Sequence, residues 1–374
     1  MLIHIYRLFF LITMLCCINN YANEGKSICE PTDCSHLCEK KSSNSIDQGF
    51  VIRGSYLFYQ AMEEGLDYLQ KLHLGGSPAT KILADVKPEG PDFTWNNGFE
   101  VGLGYIFPQR EQWDVLLNWT HYQTHCESSE PFISPTDTNN TLKPLWLPFL
   151  TGSLASQSAV HWLMHFNTID LTLGRNFFIG DWLAMHPQVS LRGAWINQGY
   201  SAGYLGANSV NNGTYFPVGP TTFMAHWQYQ AGGLRFGSDA EWFLSKNFAL
   251  IANLYGSIFY GKFIIEETFD GGFGVSGAPP LLILESVSFH KSFFRVRPAL
   301  ETEIGIRWQM FFSNEERRAM IGAYYGLSYW FNQNMLVNEF LSLDIPSGNS
   351  LLTPFPVEGD LQLHGLRIEG RFDF

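Results

Sequence analysis

The last nine residues of the chain alternate without a break. Leu366, Ile368, Gly370, Phe372 and Phe374 fall on one face of an extended strand, and Arg367, Glu369, Arg371 and Asp373 fall on the other. Successive side chains of a strand point to opposite faces. The polar face therefore carries four consecutive charges, which a half-buried strand of a soluble sheet rarely does. In a wall that crosses a bilayer the split is forced, because one face meets lipid and the other a polar lumen. The pattern predicts an all-β fold, a transmembrane antiparallel up-and-down β-barrel. It also marks Phe372 and Phe374 as an assembly signal, the terminal aromatics that a bacterial barrel-assembly machinery accepts.

The other end of the chain is consistent with export. Arg7 precedes an apolar run over residues 8–15 that is too short to span a bilayer, and Ala22 supplies a small residue before polar sequence. Residues 1–22 read as a signal peptide. Leu15 stands where a lipoprotein would need a small residue before Cys16 or Cys17. Residues 23–48 form a cysteine-containing periplasmic segment, and residues 49–374 form the barrel. Aromatic residues make up 16% of the chain and charged residues 16%; a soluble domain carries about 25% charged residues. Aromatics in that proportion suit the lipid-facing girdles of a barrel. A net charge of -12 argues against nucleic acid as a partner and against a cationic surface for anionic lipids. Outer-membrane lipid is the partner expected instead.

The strand pattern repeats along the chain. Ten alternating segments are predicted, over residues 50–60, 95–107, 113–124, 165–177, 183–197, 227–237, 242–260, 293–311, 320–331 and 361–374. Short turns at residues 108–111, 179–181, 238–240 and 313–316 alternate with connections of about 25 to 36 residues, the asymmetry of periplasmic turns and extracellular loops. An even count places both barrel termini in the periplasm. A further hairpin over residues 66–74 leaves 12 or 14 strands as alternatives.

The lumen face supplies the functional candidates. Arg53, Glu100, Asp114, Asp170, Arg192, Arg297, Glu301, Glu303, Arg307, Arg367, Glu369, Arg371 and Asp373 are predicted to line a pore. Opposed charges along a water channel set a transverse field that tunes ion selectivity. In the competing arrangement the same charges pair across a filled, closed lumen. His121, His125, His161 and His165 gather near the predicted outer rim, where a barrel protease would carry its site; as rim residues they are more simply polar girdle side chains. The chain carries no Gly-x-Ser-x-Gly, His-Glu-x-x-His or Walker pattern. Gly102-Leu103-Gly104 is too short for a phosphate loop. The chain is therefore expected to be no enzyme and to need no cofactor or metal.

Cys29, Cys34 and Cys38 are disulfide candidates in an oxidising compartment. With His36 they match no standard zinc spacing. Cys126 is expected at the opposite rim, a barrel height of about 25 Å away, whereas a disulfide tolerates Cα atoms about 6 Å apart. Three clustered cysteines cannot all pair among themselves. One is expected to bridge to another envelope protein or to a second copy in a homo-oligomer, or else to stay free or capped by a small thiol.

Residues 159–178, AVHWLMHFNTIDLTLGRNFF, carry a resemblance. So do residues 98–105 (GFEVGLGY), 113–120 (WDVLLNWT), 191–196 (LRGAWI), 232–236 (GGLRF) and 254–256 (LYG). Together they resemble the pore-forming, major-outer-membrane-protein-like family of Legionella and chlamydia-related bacteria, over most of residues 50–374. The resemblance implies an integral barrel of the bacterial outer membrane, a porin passing ions and small hydrophilic solutes by passive diffusion, with no catalytic residues to carry over. The cysteine-rich segment lies outside that family pattern. The alternative is a structural or adhesive surface barrel whose extracellular loops bind a partner.

Overall fold

A computed structural model describes residues 48–77, 80–108, 113–133, 140–146, 155–180, 182–206, 215–275, 281–282, 286–312, 317–344 and 349–374. In chain order the strands are β1 (Gly49–Glu63), β2 (Leu69–Ser77), β3 (Thr80–Glu89), β4 (Trp95–Ile106), β5 (Trp113–Glu130), β6 (Asn140–Pro144), β7 (Ala155–Arg175), β8 (Phe177–Ile179), β9 (Leu183–Gly206), β10 (Tyr215–Phe243), β11 (Phe248–Val275), β12 (Leu281–Leu282), β13 (Ser286–Phe312), β14 (Arg317–Asp344) and β15 (Asn349–Asp373). Ten of them close a ring of antiparallel ladders in the order β1, β4, β5, β7, β9, β10, β11, β13, β14, β15. β15 returns to β1 from Val51↔Asp373 to Glu63↔Leu361. The protein is an antiparallel ten-stranded barrel, and each of the ten predicted segments supplies one wall strand. The alternatives of 12 or 14 strands are overturned. The expected extra hairpin does form, as β2 and β3, but it pairs with β6 outside the ring.

Burial along the wall shows two opposite phases of one period. In the lower part of each strand apolar side chains face outward: Leu103, Leu191 and Ile304 are each more than 60% exposed. Their neighbours, among them Asn118, Asp170, Arg192 and Glu369, are buried inside. Higher up the phase of polarity inverts. On β7, Ile169 and Leu171 face out, but Trp162, Met164 and Phe166 are buried inside. On β9, Leu191 and Trp195 face out, while Ile196, Tyr200, Ala202 and Tyr204 turn in. On β11, Ile258 faces out, and Phe259, Phe263, Ile265 and Phe269 turn in. The inversion marks the outer edge of the lipid-facing belt. Below it the wall is dressed for hydrocarbon; above it the wall encloses a core of its own and meets water.

That inversion explains where the sequence reading fails. Residues 198–222, 262–288 and 332–360 are predicted as loops, yet most continue β9, β10, β11, β13, β14 and β15 above the membrane. A strand with aromatics inward and polar residues outward does not match the lipid-facing template. The predicted turn at residues 238–240 is also displaced: β10 runs on to Phe243, and the chain turns at residues 244–247. Ser238, Asp239 and Glu241 look turn-like, but Asp239 and Glu241 are lumen residues.

The upper core is closed by chain segments entering the ring. After β1 the backbone turns inward at Gly65 (φ 80°), where an added Cβ would sit 2.9 Å from Val357 Cγ1. Tyr200 and Tyr204 donate to the carbonyls of Leu66 and Tyr68 (3.1 and 2.6 Å), and Trp146 Nε1 donates to that of Asp67 (2.8 Å). Trp146 stacks on Phe223 at 4.8 Å, and Trp330 on Phe259 at 4.8 Å. Outside the ring Lys71 bridges Glu89 (3.2 Å) and Glu130 (2.7 Å), which ties the β2–β3 hairpin to β5. Lys87 and Lys71 together hold the Glu89 carboxyl below its usual range.

Cys126 faces into this upper core. It is 2% exposed and forms no disulfide. Cys29, Cys34 and Cys38, with the signal peptide, lie outside the described residues. We expect Cys126 to resist a maleimide in the folded, detergent-solubilised barrel and to react at once after boiling. Rapid labelling of the unboiled protein, read by mass spectrometry, would contradict the packed upper core.

Candidate functional site: the charged lumen

Below the aromatic layer the lumen holds a cavity of about 190 Å³. Ten of the thirteen predicted pore residues line it: Arg53, Glu100, Asp114, Arg192, Glu301, Glu303, Arg307, Arg367, Glu369 and Arg371. Asp170 sits behind Arg192, and Asp373 lies near the periplasmic mouth. Arg297 lies instead in the upper core, where its NH2 group is 2.9 Å from Met335 Sδ. The expectation that it shares a lumen site with Arg307 is therefore corrected. The two are ten positions apart on one strand, and the phase inversion falls between them.

The lumen charges pair between strands of the ring, both adjacent ones and ones up to three places apart. Arg192 on β9 forks onto Asp170 of β7 (NH2 to Oδ2, 2.8 Å) and reaches across the lumen to Glu301 of β13. Arg235 of β10 holds the second oxygen of Glu301 at 2.9 Å. Arg367 of β15 forks onto Glu303 (2.9 and 2.6 Å) and pairs with Glu369. Arg53 binds Glu100 and lies 3.7 Å from Glu369. Arg307 binds Glu241. At the mouth Arg318 and Arg371 each meet Asp373 at 2.7 Å, and that carboxylate is fully buried. Alternation places all of these side chains on one face, and the narrow ring brings the faces within reach of each other. Forked arginine–carboxylate contacts are the strong form of such pairs.

Sequence reasoning left several members out. His186 lies 2.8 Å from Asp114 and 3.5 Å from Asp239, and Gln188 donates to Asp239 at 3.1 Å. Tyr255 also donates to Asp239. Arg235, Asp239 and Glu241 share one parity on β10, the signal that an uninterrupted strand would have revealed. The guanidinium of Arg235 stands 3.5 Å from the Tyr255 ring centroid, and that of Arg367 4.4 Å from the Tyr324 ring centroid.

His121, His125, His161 and His165 sit on the outward face of β5 and β7. His121 hydrogen-bonds Asn167 (2.9 Å), and His161 lies 3.8 Å from Glu127. Among the described residues no group of three or more His, Cys, Asp or Glu is arranged to hold a metal ion.

A ten-stranded wall, a lipid-facing apolar belt and a charged lumen define an integral membrane β-barrel. Residues 45–374 match the family model described as the Legionella pneumophila major outer membrane protein precursor. The chain belongs to that family, and it is an integral outer-membrane protein. No curated protein matches it. Among solved structures it is similar to the outer membrane protease OmpT from Escherichia coli, at 8% identity and a TM-score of 0.37, covering 89% of this chain and 100% of that one. It is also similar to a Pseudomonas aeruginosa FadL homologue, at 7% identity, TM-score 0.22, covering 89% and 91%. A third is the P. putida toluene transporter TodX, at 8% identity, TM-score 0.21, covering 88% and 90%. These scores are too low to carry an argument, and the fold rests on the closed ladder itself.

Removing one partner of a buried ion pair leaves an uncompensated charge and costs about 3–5 kcal/mol. We expect Arg367→Met, which strands Glu303 and Glu369, to destabilise the barrel on that scale in urea titrations in detergent. Adding Glu303→Met and Glu369→Gln should restore much of the loss. An unchanged midpoint for Arg367→Met would show that the network is not coupled to folding.

Proposed function

We propose that the chain is a narrow outer-membrane porin whose resting state is closed. It passes ions and small hydrophilic solutes by diffusion when its upper half opens. The observation that carries this reading is the contrast between the two halves of one lumen. The upper half is filled with aromatics, so this chain can pack a barrel interior with apolar side chains. The lower half instead keeps paired charges around a polar cavity, although well-packed apolar residues in place of buried ion pairs are often neutral or stabilising. Charges of both signs facing a cavity are the lining that a selective water path needs. The resemblance to a pore-forming family points the same way.

The barrier lies where residues 64–68 enter the ring and where the upper β14–β15 hairpin leans over it. Leu336 and Val337 are buried, and the Val337 N–H donates to Glu267 Oε1 (2.7 Å). Asn334 Nδ2 donates to the carbonyl of Glu64 (2.8 Å). Opening requires these contacts to part.

One observation favours the second reading, a closed structural or adhesive barrel. Trp162, Trp227 and Trp330 are at most 1% exposed and fill the ring between cavity and exterior. Planar-bilayer recording separates the two. We expect small, intermittent conductance steps, a higher open probability for Leu66→Gly with Tyr68→Gly, and a reversal potential shifted toward cations for Arg307→Glu. Flat baselines from the folded protein and from the Leu66/Tyr68 variant would sink the porin reading and leave the closed barrel. Conductance with unaltered selectivity would remove Arg307 from the path.

A further inference from the structure

The ring has a seam between β13 and β14. The ladder between β13 and β14 runs from Phe312↔Arg317 up to Ala299↔Trp330 and stops. Above it β14 departs: Asn332 takes a left-handed conformation (φ 49°), the β14–β15 register shifts between Trp330 and Asn334, and the hairpin leans toward the interior. β13 continues alone over residues 286–298, paired only with β11 on its other side. Its second edge faces the gap.

Three cations stand on this stretch of β13 and share one parity: Lys291, Arg295 and Arg297. Arg53, Arg192, Arg235, Arg307, Arg318, Arg367 and Arg371 each have a carboxylate partner. Lys291, Arg295 and Arg297 form no ion pair with any described residue. Arg297 is 9% exposed, and its Nε is buried without a hydrogen-bond partner. Glu358 and Asp360, on the facing hairpin, act on Arg297 from beyond ion-pair distance, and Asp360 is engaged by Tyr329 and by the backbone of Asn332 (2.6 Å each). Lys291 and Arg295 are exposed, and both stand over the Phe293 ring, at 5.3 and 5.6 Å. Arg297 stands 5.6 Å from the Phe263 ring centroid, and Phe263 stacks on Phe293 at 5.5 Å.

The same seam is apolar on its outward side. Tyr260, Phe294 and Val296 are each more than half exposed, and Tyr260 stacks on Phe294 at 5.5 Å. They form the upper end of the lipid-facing belt on β11 and β13, next to Ser292 and His290. Unpaired cations therefore lie at the level where the belt gives way to polar residues, beside an aromatic ledge. That is the height of lipid headgroups. In a chain of net charge -12, a cationic cluster there with no ion pair among the described residues offers a site to an anion.

We propose that the β13–β14 seam binds an anionic lipid of the surrounding leaflet, its phosphate on Lys291, Arg295 and Arg297 and its acyl chain on Tyr260 and Phe294. Guanidinium groups match phosphate oxygens with paired N–H donors, and an ammonium adds a point charge. The free β13 edge gives the headgroup access, and the ledge holds the tail.

Calorimetric titration of the folded, detergent-solubilised full chain tests this with three monomeric probes: dihexanoyl phosphatidic acid, dihexanoyl phosphatidylcholine and inorganic phosphate. We expect phosphatidic acid to bind at one per barrel and at least tenfold more tightly than either of the others. Lys291→Gln with Arg295→Gln should weaken it at least tenfold while unboiled gel migration stays normal. Arg297→Met, which keeps the volume of the buried side chain, should weaken it as well. Equal binding of inorganic phosphate would make this a free-anion site and overturn the lipid assignment. Equal binding of phosphatidylcholine, or an unchanged affinity in the Lys291/Arg295 double variant, would overturn the role of the cations.

Discussion

A backbone N–H or C=O facing hydrocarbon has no water to bond, and each one left unsatisfied costs several kcal/mol. The rest of this structure follows from that constraint. The sheet must close, so β15 pairs with β1 along almost the whole of β1, from Val51↔Asp373 to Glu63↔Leu361. Ten strands make a narrow ring, so side chains from opposite walls meet. A charge inside such a ring has neither lipid nor bulk water, and must find a counter-charge. Arg192 reaches Glu301 because the narrow ring brings β9 and β13, with only β10 and β11 between them, within side-chain reach. The outward apolar belt and the inward ion pairs are two consequences of one closed ladder.

The wall was legible in the sequence because its lower half obeys a strict rule of apolar out and polar in. Residues such as Leu171, Leu191 and Ile368 announce it. The upper half obeys the inverse rule, and there the reading failed. Tyr200, Ala202 and Tyr204 alternate as regularly as the residues below, but with small polar partners outside. That segment resembles a glycine-rich loop to a template built for lipid. Strand β10 shows the cost of local reasoning. Ser238, Asp239 and Glu241 have the composition of a turn, and only the pairing with β9 and β11 reveals them as wall residues.

The candidate site was legible to a similar depth. Parity alone brings Arg367, Glu369, Glu301, Glu303 and Arg53 to one lumen. It does not give the height of a residue relative to the phase inversion, so Arg297 was grouped with Arg307. Nor does it give cross-lumen partners, which depend on strand tilt. The exception is informative. Arg297 is set apart from the paired network because β14 leaves the wall beside it, and the cations of that seam form no ion pair with a described residue.

Native-state hydrogen exchange on the detergent-folded protein, read by mass spectrometry of peptic fragments, tests the closed ring most directly. The account predicts protection limited only by global unfolding in the lower halves of all ten strands, with β1 and β15 as slow as β9 and β10. It also predicts distinctly faster exchange at the unpaired edge over residues 286–298. Fast exchange throughout β1 or β15 would mean an open sheet with two edges, and would contradict the barrel on which the lumen network depends.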